Sequence, residues 1–125
     1  MTPDIRRLPD GELEVMQALW DCDHPASRAD IEAVLYPKHP MAMTTLLTLL
    51  TRLGEKGFLK AEKLGRGKGY TPLVSRQDYL AAQSRLFVDK LCGGSISAFA
   101  AALCGSGLSK EELAQLRELL DKGEI

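Results

Sequence analysis

The sequence predicts a mostly helical chain: a winged helix-turn-helix, meaning three helices closed by a β-hairpin, with a helical arm behind it. Three observations lead there. Apolar residues recur at helical spacing in three short stretches before Gly57. A glycine-rich segment with aromatic and β-branched flanks follows directly. Helical spacing then returns and continues almost to the end. This order of elements predicts two regions, residues 1–76 as the winged helix and residues 77–125 as the arm.

The first helix is expected from about Pro9 to Asp21, where Leu13, Met16, Ala18, Leu19 and Trp20 share helical spacing and Pro9 suits a first turn. Asp23-His24-Pro25-Ala26 breaks it. Ser27 opens the second helix. Its hydroxyl can accept from the amide of Asp30, whose carboxylate can reach back in a capping box. Ile31, Val34 and Leu35 form the inward face, and Pro37 and Pro40 end the helix. The third helix runs from about Ala42 to Lys56, with Gly57 as a left-handed terminator. Turned by about 100° per residue, Leu46, Leu49, Leu50 and Leu53 fall on one face. Thr44, Thr48, Thr51 and Glu55 fall opposite, flanked by Thr45, Arg52 and Leu47.

Phe58–Leu64 and Tyr70–Val74 read as two strands around a flexible basic tip, Gly65-Arg66-Gly67-Lys68-Gly69. The arm follows as three helices. Gln77–Leu91 is stopped by Gly93-Gly94, Ser95–Leu103 is short and apolar, and the last begins at Ser109 with Glu112 in capping-box position. Tyr79, Leu80, Phe87, Leu91, Ile96, Phe99, Leu103, Leu113, Leu116 and Leu120 give the arm more apolar surface than three short helices can hide among themselves. The expectation is burial against a second copy, in a two-fold homodimer.

The net charge of −1 conceals a division. Residues 1–37 carry −5, residues 38–76 carry +6 and residues 77–125 carry −2. A basic middle in an acidic chain points to a polyanion. Joined to a helix-turn-helix, it points to double-stranded DNA. A helix fits the major groove, and its early residues reach base edges. Threonine hydroxyls can bond bases or phosphates and threonine methyls can pack on thymine. Four threonines on an exposed face are weak helix formers, which favours a contact role. Thr44, Thr45, Thr48 and Thr51 are therefore the expected groove residues, with Leu47 either packing inward or meeting a thymine methyl. Arg52 and Lys56 are expected phosphate clamps, as are Arg66 and Lys68 on the hairpin.

Catalysis is not expected. His24 and His39 each sit beside a proline, and no nucleophile–base set, zinc-hydrolase motif or phosphate loop occurs. No cofactor or metal is expected, because Cys22, Cys92 and Cys104 show no paired spacing. The odd cysteine count and the lack of an apolar stretch behind Arg6 and Arg7 predict a cytoplasmic chain without membrane insertion. Two alternatives share the fold: a ligand-, redox- or metal-responsive regulator using Cys92 and Cys104, and a protein-interaction module that never touches DNA.

The chain resembles the penicillinase-repressor family, which regulates β-lactam resistance and has copper-responsive relatives. The resemblance rests on residues 13–20 (LEVMQALW), on residues 45–53 (TLLTLLTRL) with Glu55-Lys56-Gly57-Phe58-Leu59, on residues 70–76 (YTPLVSR) with Tyr79, and on Gly93-Gly94-Ser95. It implies a dimeric repressor that occludes a palindromic operator. It also implies release by cleavage within the arm, triggered by a membrane sensor-protease. Three departures stand out. Thr44 and Leu47 replace residues that are often basic or polar in the family, so the operator is expected to differ. The family's Asn-Phe cleavage bond falls on Ala101-Ala102. The paired cysteine motifs of the copper-responsive relatives are missing.

Overall fold

The computed structural model describes residues 5–122. Six helices and a small sheet follow in the order α1 (Asp10–Trp20), β1 (Ala26–Ser27), α2 (Arg28–Leu35), α3 (Met43–Glu55), β2 (Leu59–Leu64), β3 (Gly67–Pro72), α4 (Arg76–Leu91), α5 (Ile96–Gly105) and α6 (Lys110–Asp121). The mostly helical class and the winged arrangement expected from the sequence are both present.

The local signals act as the residue types dictate. The Ser27 hydroxyl accepts from the Asp30 amide at 3.1 Å while the Asp30 carboxylate accepts from the Ser27 amide at 3.0 Å, completing the capping box of α2. Gly57, at φ +83°, ends α3. Its amide donates to Gly54 and the amide of Phe58 donates to Leu53, so the last carbonyls of the helix are satisfied and the chain turns into β2.

The hairpin is tighter than the sequence suggested. Leu64 pairs with Gly67, leaving a two-residue turn, Gly65-Arg66, with Gly65 at φ +59°. Glycine first in a two-residue turn matches the twist of the strands. Gly67, Lys68 and Gly69 therefore belong to β3 rather than to a flexible tip. The sheet also has a third strand that the sequence reading missed. The two residues of β1 pair with β3, Ala26 with Tyr70 and Ser27 with Gly69, giving the order β1-β3-β2. A Cβ at Gly69 would lie 2.9 Å from that of Pro25, so the strand crossing admits only glycine without a shift.

The chain forms two compact units, one running to Gln83 and one from Ser84. The expected division at residue 76 falls within the first of these units. The first unit holds a continuous apolar core that includes Leu8, Met16, Leu19, Ile31, Leu46, Leu53 and Phe58. The start of α4 belongs to this core. Tyr79 is only 4% exposed, and its hydroxyl accepts from the Leu8 amide at 2.9 Å. Its ring lies 5.8 Å from Trp20 and 6.0 Å from Phe58. The Trp20 indole donates to the Val74 carbonyl at 2.9 Å, and Arg76 lies over its ring while pairing with Asp21 at 2.8 Å. Tyr79 is therefore corrected from a dimer contact to a core residue. The aromatic cluster that receives it is assembled from α1 and from Phe58, just before β2, far apart in sequence.

The second unit is organised differently. Neither α5 nor α6 contains a buried residue. Phe87 and Phe99 meet edge to face at 5.8 Å, and Ser109 with Glu112 forms the expected capping box of α6. Leu91, Ile96, Leu119 and Leu120 are exposed, as is Leu80 at the end of the first unit. Among the described residues, no single helix is long and apolar enough to cross a membrane.

Candidate nucleic-acid interface

Helix α3 owes its orientation to Leu46, Leu50 and Leu53, all buried against the first unit's core. That anchoring leaves Thr44, Thr45, Leu47, Thr48, Thr51 and Arg52 exposed. Thr44, Thr45, Thr48 and Arg52 line one shallow hollow. Leu47, open to either reading from sequence, is 38% exposed, and Met43 one turn earlier is 49% exposed. The threonine hydroxyls are not all free donors. Thr48 donates to the Thr44 carbonyl at 2.9 Å and Thr51 to the Leu47 carbonyl at 3.0 Å. Both oxygens keep lone pairs, so outward they can only accept.

Lys56 does not stand free as the sequence reading expected. Its ammonium pairs with Glu12 at 2.5 Å, and Glu12 is only 3% exposed. A carboxylate taken out of water needs a cation and hydrogen bonds. Lys56 supplies both and so ties the end of α3 to α1. It is corrected from a phosphate clamp to an internal tether. The 44-residue separation hid this pair from sequence reading.

On the hairpin, Arg66 occupies the turn and Lys68 the strand, and both are exposed. The two-residue turn puts Lys63 directly opposite Lys68. Like charges in register repel and weaken a hairpin. Lys60 and Glu62 pair with each other at 2.7 Å. Among the described residues, Lys63, Arg66, Lys68 and Arg52 take part in no ion pair. Lys63 is a candidate that sequence reading missed. The signal was the hairpin register, which a five-residue tip concealed.

The cysteines show no comparable convergence. Cys22 donates to the Ala18 carbonyl at 3.3 Å. Burial first, and then Asp30, Asp21 and Asp23, push its thiol above the ordinary value, which keeps it protonated and inert. Cys92 is half-buried and Cys104 exposed. No group of three or more His, Cys, Asp or Glu among the described residues is arranged to hold a metal.

The first unit thus presents a helix-turn-helix with an exposed threonine face, beside a wing carrying unneutralised cations. The sequence profile of the penicillinase repressor family matches residues 8–122. The chain belongs to the penicillinase repressor family. It is 29% identical to the penicillinase repressor of Bacillus licheniformis over 94% of this chain and 92% of that protein. It is 30% identical to the methicillin resistance regulatory protein MecI of Staphylococcus aureus over 89% and 90% of the two chains. Among solved structures, it is similar to the monomeric form of Bacillus licheniformis BlaI, determined in solution in complex with the blaP half-operator. The TM-score is 0.50 at 34% identity, covering 61% of this chain and 92% of that one. This family of repressors, not of enzymes, agrees with the regulator expected from the sequence.

Proposed function

We propose that the chain represses transcription as a homodimer, each protomer laying α3 in the major groove of one half of a palindromic operator while its wing holds the flanking phosphates. The observation that carries this reading is the register of Lys63 against Lys68, with Arg66 at the turn between them. The hairpin holds like charges face to face, an arrangement that a phosphate backbone relieves. Family membership supplies the repressor role, and BlaI, solved in complex with a half-operator, supplies the precedent for DNA.

The dimer reading rests on the second unit, whose α5 and α6 bury no residue and leave Ile96, Leu113, Leu119 and Leu120 exposed. Leu80, Phe87, Leu91, Ile96, Phe99, Leu103, Leu113, Leu116 and Leu120 are the proposed contacts. Two-fold pairing of this surface would set two α3 helices against half-sites one helical turn or more apart. Action of this kind belongs in the cytoplasm. Release by a membrane sensor-protease is the route the family resemblance implies. Ala101 and Ala102 lie exposed within α5, a helical stretch that must unwind before a protease can cut it.

Salt dependence tests the interface. If the dimer neutralises roughly eight phosphates, log K falls with log salt at a slope of about −7. Arg66→Ala combined with Lys68→Ala should weaken all duplexes alike and flatten that slope. Lys56→Met should leave the slope unchanged. An affinity indifferent to salt would exclude phosphate contact by the wing.

A further inference from the structure

We propose that α3 reads thymine methyl groups, through the Leu47 side chain and the Thr48 γ-methyl, and that the chain therefore selects half-sites with an A·T pair facing α3. This rests on the repressor reading above and names the feature of the duplex that the same face recognises.

Three observations carry it. The first two turns of α3, Met43 to Leu50, contain no charged residue. Arginine and lysine, the usual partners of guanine N7 and O6, are absent there, and Arg52 comes only in the last turn. Secondly, Leu47 and Met43 lie one turn apart, both exposed, on a helix whose other large apolar residues are buried or half-buried. Apolar side chains in that position do nothing for the core. Thirdly, the Thr48 and Thr51 hydroxyl protons are already given to backbone carbonyls. What these threonines present outward is a methyl group and an acceptor oxygen.

Matched against base edges in the major groove, that inventory is selective. Guanine offers two acceptors there, which the free hydroxyls of Thr44 and Thr45 can meet, but it brings no methyl to Leu47 or to the Thr48 γ-methyl. Thymine offers a C5-methyl to Leu47 and to a threonine methyl. Adenine offers an N6 amino proton to a threonine oxygen. A cytosine amino group could use the same oxygen, but cytosine brings no methyl. The A·T pair is the one that satisfies the apolar and acceptor groups together.

The test uses the full chain and wild-type backbone chemistry in the DNA. A preferred duplex is first selected from a random library, then resynthesised with uracil replacing thymine one position at a time. Uracil pairs as thymine does and lacks only the methyl. One or two positions per half-site should each weaken binding about fourfold, the loss expected for one buried methyl. Replacing the symmetric positions in both half-sites should weaken it about 15-fold. Leu47→Ala and Thr48→Ser, the latter keeping the hydroxyl, should each make binding indifferent to uracil at one position, with thermal melting confirming that both variants fold. A preferred duplex that binds equally with uracil at every position overturns the methyl readout and leaves the repressor reading standing. Uracil sensitivity that persists unchanged in both variants also overturns it. Failure to select any preferred duplex overturns the repressor reading itself.

Discussion

The two compact units place their apolar residues in opposite ways. In the first, leucines from α1, α2 and α3 vanish into one core, closed by Phe58, Tyr70 and Tyr79. In the second, α5 is the more apolar helix by composition and yet buries nothing fully, and α6 keeps Leu119 and Leu120 exposed. The first unit is complete as a folded object. In α5 the second has a helix with the composition of a core and the exposure of a surface. Burial sets helix stability in short segments, since isolated helices of about 12 residues are marginal in water. The lesson is that the first unit closes its own core, whereas the exposed apolar residues of the second are what the proposed pairing with a second copy would cover.

The largest expected effect breaks the first unit at its seam. Tyr79→Ala removes a buried ring and the acceptor for the Leu8 amide, so a loss of about 3–5 kcal/mol is expected. Tyr79→Phe, which keeps the ring, should lose about 1–3 kcal/mol. A chain ended at Val74 should fail to fold for the same reason. Denaturant unfolding measures all three, and a stable Val74 fragment would show that α4 adds nothing to the winged helix.

A chain ended at Gln83 keeps Tyr79 and tests the second unit. It should be folded and monomeric in sedimentation, and should bind the selected operator at least about 100-fold more weakly than the full chain, because tethered half-sites gain that much in avidity. A Gln83 fragment that dimerises, or that binds as tightly, would remove the arm from the account.

The smallest effect sharpens the contrast. Ser27 and Ser109 form the same capping box, one in each unit. Serine-to-alanine at either should remove about 1 kcal/mol of helix stability. For Ser27→Ala the loss should not vary with protein concentration. For Ser109→Ala it should grow on dilution if the second unit pairs as proposed, because the stability of a dimer depends on concentration.

The sequence made legible what is local. The span of α3 follows from leucine spacing and Gly57, and both capping boxes follow from residues three apart. What it hid is non-local. Strand β1 has two residues and no period, and exists only because β3 passes beside it. Glu12 and Lys56 look like ordinary surface charges until α1 and α3 pack. Tyr79 sits in an apolar stripe that runs on through Leu80 and Phe87, so periodicity could not show that one residue faces a core and the next is exposed. For the site, the threonine face was readable, but the register that opposes Lys63 to Lys68 depended on a turn two residues long rather than five.

Trp20 is the chain's only tryptophan, and it is wedged where the first unit closes. Its indole N–H, the Tyr79 ring and the Arg76 guanidinium all depend on α1 meeting the start of α4. The molecule thus carries a built-in optical reporter for one half of itself. Indole emission on heating follows that junction alone, while far-ultraviolet dichroism sums all six helices. If the two traces separate as the protein is diluted, the gap between them is the melting of the arm, visible without a label or a mutation.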